Sequence, residues 1–541
     1  MSDDGAPRTG DLDRRRFLTA AGAGALAAVT TAALGPLAGC TGAAAPTSHA
    51  RRRAGAPGPT TTEVLDPAAW DRLGASLAGR LVRPDSAGYA AATLVYNQRF
   101  ADVAPAAVAY CASATDVRRC LAFAVDHGVG VTARSGGHSY GGYSTGTGLV
   151  IDVSPMNTVT ADTASLTAVV GTGAQLIDVY ARLGAAGVLL PAGSCPSVGI
   201  AGLTLGGGIG VVSRRYGLTC DNLVALDLVT ADGRLLTCDA ENHEDLFWAS
   251  RGGGGGNFGI ATSFTFCVHP LPTLSLFTVD WPWEAAAEVL GGWLDWTSHS
   301  PPQLWSNCQL QAQGTSGLAV RSNGVYVGSV EALGTALAPF LAGTGTPTSR
   351  FVSSDPYLHT MLVEAGCEDR SVEACHLETT SAGGTLARSS FGAASGYLAA
   401  ALPAAGIAAG IEAVTELHGS VPEVGGGIVF DAYGGVINTV SPGATAFVHR
   451  NALCAAQVSA SWSPAAAPAV VGAAESWIHD TRIALSPYFD GAYQNYVDPT
   501  LADWSSAYYG ANLPRLVTVK RRYDPDDVFR FAQSIPTRLP A

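Results

Sequence analysis

Between residues 105 and 270, short apolar runs alternate with longer amphipathic ones. Val108-Ala109-Tyr110 reads as a strand; Ser113-Ala114-Thr115-Asp116 reads as a cap ahead of an apolar-periodic helix, and Gly128-Val129-Gly130 opens the next strand. Residues 149–153 and 166–170 predict further strands, followed by a helix over 174–183. After Leu274 the texture changes: residues 276–281, 318–321 and 446–462 alternate apolar and polar side chains. Period-two alternation over so many segments predicts a large antiparallel sheet with one covered face. Helical patterns at 284–296, 332–341 and 468–484 flank it, and 399–409 also carries helical periodicity. The fold class expected is α+β, and no repeat of solenoid period is visible.

Composition narrows the function. The chain has 541 residues, 47% hydrophobic and 14% charged, enough to bury a large core in two domains after processing. A formal net charge of −13 leaves no basic field to gather phosphates, which argues against a nucleic-acid or anionic-membrane surface. Lys520 is the only lysine. Its context excludes a Walker-A loop and a kinase-type lysine, and leaves no Schiff-base candidate for pyridoxal chemistry. Of eleven cysteines, Cys111 with Cys120 and Cys367 with Cys375 are the locally plausible disulfide pairs, though spacing does not fix connectivity. No Cys-x-x-Cys, His-Glu-x-x-His or paired-His spacing is present, so no metal site is expected.

Residues 1–45 read as an address. Asp13-Arg14-Arg15-Arg16-Phe17-Leu18 matches a twin-arginine signal, with a weakly apolar stretch over 20–34. Leu37-Ala38-Gly39-Cys40 is a candidate lipobox, and Ala43-Ala44-Ala45 suits ordinary signal peptidase; both readings stay open. The expectation is export by the twin-arginine machinery, either to the extracellular medium or to a lipid anchor on the outer membrane face. Residues 46–62 read as a disordered tether.

Two segments carry the chemistry. Arg134-Ser135-Gly136-Gly137-His138-Ser139-Tyr140 sets a His in a glycine turn where backbone N–H groups can approach a pyrophosphate. Pro191-Ala192-Gly193-Ser194-Cys195-Pro196-Ser197-Val198-Gly199 sets a Cys in a similar turn, ahead of the glycine series 199–210. Read together they point to a flavin bonded at two places. With 216–222, 245–260, Tyr493-Gln494-Asn495-Tyr496, 508–512 and 524–536, the chain resembles the berberine-bridge-enzyme-like oxidases of the vanillyl-alcohol-oxidase/p-cresol-methylhydroxylase flavoprotein superfamily.

The resemblance implies a two-part FAD-binding domain of the p-cresol-methylhydroxylase type, over 63–272 and 481–541, with an inserted substrate domain over 273–480 built on the large antiparallel sheet. It implies bicovalent FAD, His138 on the 8α-methyl carbon and Cys195 on ring carbon C6. Arg134, Ser135, Gly136, Gly137 and Ser139 would line the pyrophosphate. Gly199, Gly202, Gly206, Gly208, Gly259, Ile260 and Asn512 would complete the cofactor channel. Tyr496 matches the catalytic tyrosine; its phenol needs help toward phenolate, from Tyr493 or a nearby cation. Tyr140 and Tyr143 are candidates for stacking on a sugar face, and Val198 matches a position that gates oxygen. The activity implied is oxidation of a carbohydrate or glycosylated natural-product hydroxyl with O₂ as acceptor, giving H₂O₂, as in bacterial oxidases that tailor deoxysugars on polyketides. Oxidative cyclisation or C–H oxidation of an alkaloid-like or polyketide metabolite is the alternative.

Two other classes compete. Gly137-His138-Ser139-Tyr140-Gly141 and Gly142-Tyr143-Ser144-Thr145-Gly146 both satisfy Gly-x-Ser-x-Gly, but the chain continues through glycine into a strand where a hydrolase elbow needs a helix. A lipid-anchored solute-binding protein suits the length and the candidate lipobox, yet it leaves the glycine series and Tyr493-Gln494-Asn495-Tyr496 unexplained.

Overall fold

The computed structural model describes residues 66–539; the signal, the candidate lipobox at Cys40 and the tether lie outside the described residues. A first sheet joins β1 (Arg80–Val82), β2 (Ala107–Tyr110), β3 (Val131–Arg134) and β4 (Leu149–Asp152) in the order β1-β2-β4-β3. Strands β2, β4 and β3 run parallel, and the helix Ala114–Asp126 makes the crossover. That helix starts where the sequence expects it, with Ser113 Oγ accepting from the Asp116 N–H at 3.2 Å. Its Val117, Cys120, Leu121 and Ala124 bury against β2 and β4.

A second sheet is antiparallel, with β5 (Val159–Asp162), β6 (Thr167–Gly171), β8 (Leu223–Val229), β9 (Leu235–Cys238) and β10 (Ile260–Cys267) in the order β5-β6-β10-β8-β9. A two-residue ribbon pairs β7 (Val188–Leu189) with β11 (His269–Pro270). Leu166, expected in a strand, instead takes φ 51° in the turn before β6.

The third sheet has seven antiparallel strands, β12 (Leu274–Trp281), β13 (Leu304–Gln313), β14 (Leu318–Val327), β15 (Ser349–Asp355), β16 (Ser390–Leu398), β17 (Gly425–Ala432) and β18 (Cys454–Trp462), ordered β15-β12-β14-β13-β17-β18-β16. Alternation sorts its faces. On β13, Leu310 turns toward the helix Ala404–Ser420, while Asn307 and Gln311 face a cavity. The helices Ala286–His299, Val330–Ala342 and Pro468–Leu485 complete the covering layer.

Two further expectations fail locally. Residues 446–453 are not a strand: the Ala446 and Phe447 N–H groups bond to Trp248 and Arg251 carbonyls at 3.3 and 3.0 Å, and Arg450 buries a bidentate pair on Asp221 at 2.8 and 2.6 Å. Those bonds carry the segment off the sheet, and β18 starts only at Cys454. Residues 399–403 are not helical because Pro403 disfavours helical backbone before it, so the helix opens at Ala404.

Cys367 and Cys375 form a disulfide. Cys111 and Cys120 lie with sulfurs 3.9 Å apart in the core, in hydrogen-bond contact and without a disulfide. Lys520 is fully buried and donates to Asp524 and to the Asn257 and Phe529 carbonyls at 2.7, 3.0 and 2.6 Å, pinning the C-terminal segment to the glycine-rich 252–257 loop. Among the described residues no helix is long and apolar enough to cross a membrane, and no group of three His, Cys, Asp or Glu is placed to hold a metal.

Candidate active site

A cavity of about 1390 Å³ lies between the two smaller sheets and the open face of the large one. Its flavin-motif wall forms because two glycine turns touch backbone to backbone. A Cβ on Gly136 would stand 2.2 Å from the Gly199 nitrogen, and one on Gly199 would stand 2.3 Å from the Gly136 nitrogen. Only glycine permits that approach. Contact there brings the His138 turn against the Cys195 turn, and His138 Nε2 meets Ser197 Oγ at 2.9 Å.

Both attachment candidates line the cavity. Burial pushes the His138 imidazole down to about 3, so the ring is neutral with a lone pair available. Tyr96 stacks on it at 3.9 Å. Burial pushes the Cys195 thiol up to about 11, against smaller downward contributions from hydrogen bonds to Ser197 and Val198. Val198, Ser135, Gly137, Ser139, Gly202, Gly259 and Ile260 also line the cavity, together with Gly136 and Gly199.

Five expected positions do other work. Gly206 is not in the lining; its missing side chain leaves room for Asn495, whose Oδ1 a Cβ would meet at 2.0 Å. Gly208 sits at φ 86° and gives its N–H to Tyr493 Oη at 2.8 Å. Asn512 is also off the cavity, donating to the Pro442, Thr445 and Ala446 carbonyls at 2.8, 3.1 and 3.3 Å. Tyr143 does line the cavity but packs on Phe531, with ring centroids 4.7 Å apart, away from the large sheet. Arg134 is mostly committed to scaffold: it donates to the Ser144 and Ala92 carbonyls at 2.9 and 2.6 Å and faces Asp152 at 3.7 Å.

Opposite this wall, the segment 493–497 is clamped between the glycine series and the large sheet. The Tyr493 N–H donates to Ser395 Oγ at 3.0 Å, and Gln494 Nε2 to the Gly206 carbonyl at 2.7 Å and to the Gly252 carbonyl. Asn495 Nδ2 donates to the Leu203 carbonyl and to Tyr493 Oη, both at 3.0 Å. Tyr496 is thereby held stacked on Tyr140 at 5.2 Å and edge-on to Tyr493 at 4.9 Å. Tyr140 is fixed in turn by Phe391 at 4.9 Å and by Gln457, which donates to its hydroxyl at 3.1 Å.

Of the helpers expected for Tyr496, Tyr493 acts the other way: burial first, then Tyr140, Asp431 and Tyr493, all hold its phenol well above the ordinary range. Tyr493 spends its hydroxyl on Gly208 and Asn495, which oppose but do not overcome its burial, leaving it up at about 12. What titrates near neutrality is a pair of carboxyls on the cavity wall. Burial raises Asp431 of β17 to about 7, and burial plus the Asp431 charge raises Glu364, at the end of the helix Tyr357–Glu364, to about 7. Sequence reading passed over both. The available signal was a single Asp in an otherwise glycine and apolar strand, 425–432.

The cavity suits FAD on its own geometry. Arg134, Tyr143, Gln494 and Gln533 line it, and each has a buried side-chain atom without a hydrogen-bond partner: Nη2, Oη, Oε1 and Oε1 respectively. Buried polar groups are rarely left so. A long ligand with polar groups along its length would satisfy them.

Comparison with known proteins agrees. The FAD binding domain model matches residues 105–239, and the "Berberine and berberine like" model matches 492–536. The chain is 34% identical over 468 residues to the FAD-linked oxidoreductase YgaK of Bacillus subtilis, covering 85% of this chain and 97% of that one. It is 30% identical over 463 residues to the aclacinomycin-N/aclacinomycin-A oxidase of Streptomyces galilaeus, covering 75% and 80%. The solved structure of a chitooligosaccharide oxidase superposes with TM-score 0.77 at 27% identity, over 87% of this chain and all of that one. The fold and site define an FAD-dependent oxidoreductase with an antiparallel sheet facing the cavity. The chain belongs to the berberine-bridge-enzyme-like family of FAD-linked oxidases.

Proposed function

We propose that the protein is an exported oxidase with FAD bonded to His138 and Cys195, acting on a CH–OH group of a carbohydrate or a sugar on a natural product. The observation that carries this reading is the meeting, in one cavity, of the two attachment candidates with Tyr496 and Asp431. The printed names of the chitooligosaccharide and aclacinomycin oxidases support a sugar-bearing substrate. Bound there, FAD would supply the hydride-accepting chemistry, with O₂ as the final acceptor and H₂O₂ as the product. Arg134, Tyr143, Gln494 and Gln533 would hold it through their unpaired polar atoms.

The protein's own part is to aim the substrate and take its hydroxyl proton. Tyr496 Oη is the acceptor, and a neutral phenol can accept only as it gives up its own proton. Asp431 lines the same cavity and titrates near 7, and we assign it as the carboxylate that finally takes up that proton. Tyr140 and Gln457 fix the ring that does this. Val198 lines the cavity three residues after Cys195, and we assign it the shaping of oxygen access.

The test combines covalency and turnover. Denatured protein should keep flavin fluorescence on a gel, and His138→Ala or Cys195→Ala should each leave one linkage. Peroxide release across sugars and glycosylated metabolites should identify a turnover substrate. Fully extractable flavin removes the bicovalent reading; no peroxide from any sugar-bearing compound removes the substrate reading.

A further inference from the structure

The odd positions of β13 place four amide side chains in a row on the cavity side, Asn307, Gln309, Gln311 and Gln313. Asn307 is in register with Asp431 and hydrogen-bonds its carboxylate. Gln309 Nε2 donates to Asn307 Oδ1 at 3.0 Å and to Asn323 Oδ1 at 2.8 Å. Gln311 Nε2 donates to Gln309 Oε1 at 2.7 Å, and Gln313 Nε2 to Gln311 Oε1 at 3.5 Å. Every amide therefore points its donor end toward Asp431, in a one-way chain that fixes which edge each group presents.

A primary amide has two N–H bonds and two acceptor lone pairs. Gln309 uses both N–H bonds within the row and is buried. Gln311 and Gln313 each keep one N–H and at least one lone pair uncommitted, and both line the cavity. A donor beside an acceptor complements the adjacent hydroxyls of a sugar ring. At about 3.4 Å per residue the row from Asn307 to Gln313 runs about 20 Å, several rings long.

The strand beside it lowers the floor. Gln311 faces Gly427 and Gln313 faces Gly425 on β17; beyond them on β18 stand Ser459 and Ser461. The result is a side-chain-free trough with an amide rim on one side and a hydroxyl rim on the other. Of the arginines lining the cavity, Arg134 and Arg530, neither belongs to the sheet, so nothing on the trough's walls calls for an anionic sugar.

We propose that this trough binds the sugar units beyond the reacting one, with Gln311 and Gln313 as the residues that read a neutral oligosaccharide. The inference rests on the sugar-oxidase reading above. The test measures kcat/KM by peroxide release for glucose, cellobiose, cellotriose and cellotetraose, with the wild type, Gln313→Leu and Gly425→Val. Gln313 is at the exposed end of the row, and a Cβ at Gly425 meets only Ser461 Oγ at 3.7 Å and the Ala312 carbonyl at 3.9 Å, so both variants should fold. The wild-type value should rise with chain length. Each variant should cut the tetramer-to-dimer ratio by about 3- to 10-fold, the equivalent of one neutral hydrogen bond. A wild-type rate independent of length, or variants that depress all lengths equally, overturns the trough. Failure to oxidise any of these sugars while a glycosylated polyketide releases peroxide overturns the oligosaccharide reading and leaves the oxidase standing.

Discussion

Replacing Asp431 by Asn should separate what this carboxyl costs the fold from what it gives the reaction. In the unfolded chain the group titrates near 3.8; in the cavity burial moves it to about 7. Between those values the folded state keeps a proton that the unfolded state has released. The stability this confers is therefore full below about pH 4, falls as pH rises, and is gone above about pH 7. Ionising the carboxyl in place costs about 4 kcal/mol as a ceiling, at about 1.4 kcal/mol per decade of proton affinity, since cavity water and sharing with Glu364 reduce it. Asp431→Asn keeps the acceptor for Asn307 and removes the charge. The variant should be more stable than the wild type at pH 8, with a gap that opens by at most about 1.4 kcal/mol per pH unit from pH 4 to 7 and then stays flat. Denaturant unfolding at pH 5, 6, 7 and 8 measures this. In the same variant kcat/KM should fall by about 10²–10⁴-fold, and the wild-type decline below about pH 7 should vanish. A gap that does not change with pH, or a variant less stable at pH 8, would refute Asp431 as the buried charge that the site maintains.

Tyr496→Phe removes only a hydroxyl, so flavin loading should persist while anaerobic flavin reduction slows by about 10²–10⁴-fold and reoxidation by O₂ changes little; an unchanged reduction rate would move the role to another group. Arg450→Met leaves the Asp221 carboxylate facing an apolar side chain and should cost about 3–5 kcal/mol, read by denaturant unfolding, with a small loss indicating that water reaches the pair. Changing Arg14, Arg15 and Arg16 together to Lys should leave flavin-loaded, active enzyme in the cytoplasm on fractionation, and unchanged export would count against the twin-arginine reading.

The chain's local chemistry fixed a good deal in advance. Ser113 capping, the apolar period of residues 114–126 and the strand alternation after Leu274 depend on neighbours three or two residues apart, and the structure follows them. The His138 and Cys195 turns were legible for the same reason, because a glycine flanking a reactive side chain is a local statement about backbone. Where a nearby segment failed, a distant partner had outbid it. Residues 446–453 alternate like a strand but follow the buried Asp221–Arg450 pair and the Trp248 and Arg251 carbonyls, none of them close in sequence.

What only the tertiary structure decided is which groups share the cavity and in what state. Asp431 and Glu364 became titratable near neutrality because β17 and the helix Tyr357–Glu364 bring two carboxyls into one low-dielectric wall, and a pKa depends on that environment rather than on residue type. The same holds for Arg134, Gly206, Gly208 and Asn512, whose motif positions were readable but whose contacts were settled by packing. Sequence determined the glycine turns around His138 and Cys195 and the alternating sheet, because backbone freedom and period-two burial are short-range. The amide row beside Asp431 arose from strand register, Asn307 opposite Asp431, which no stretch of the chain encodes alone.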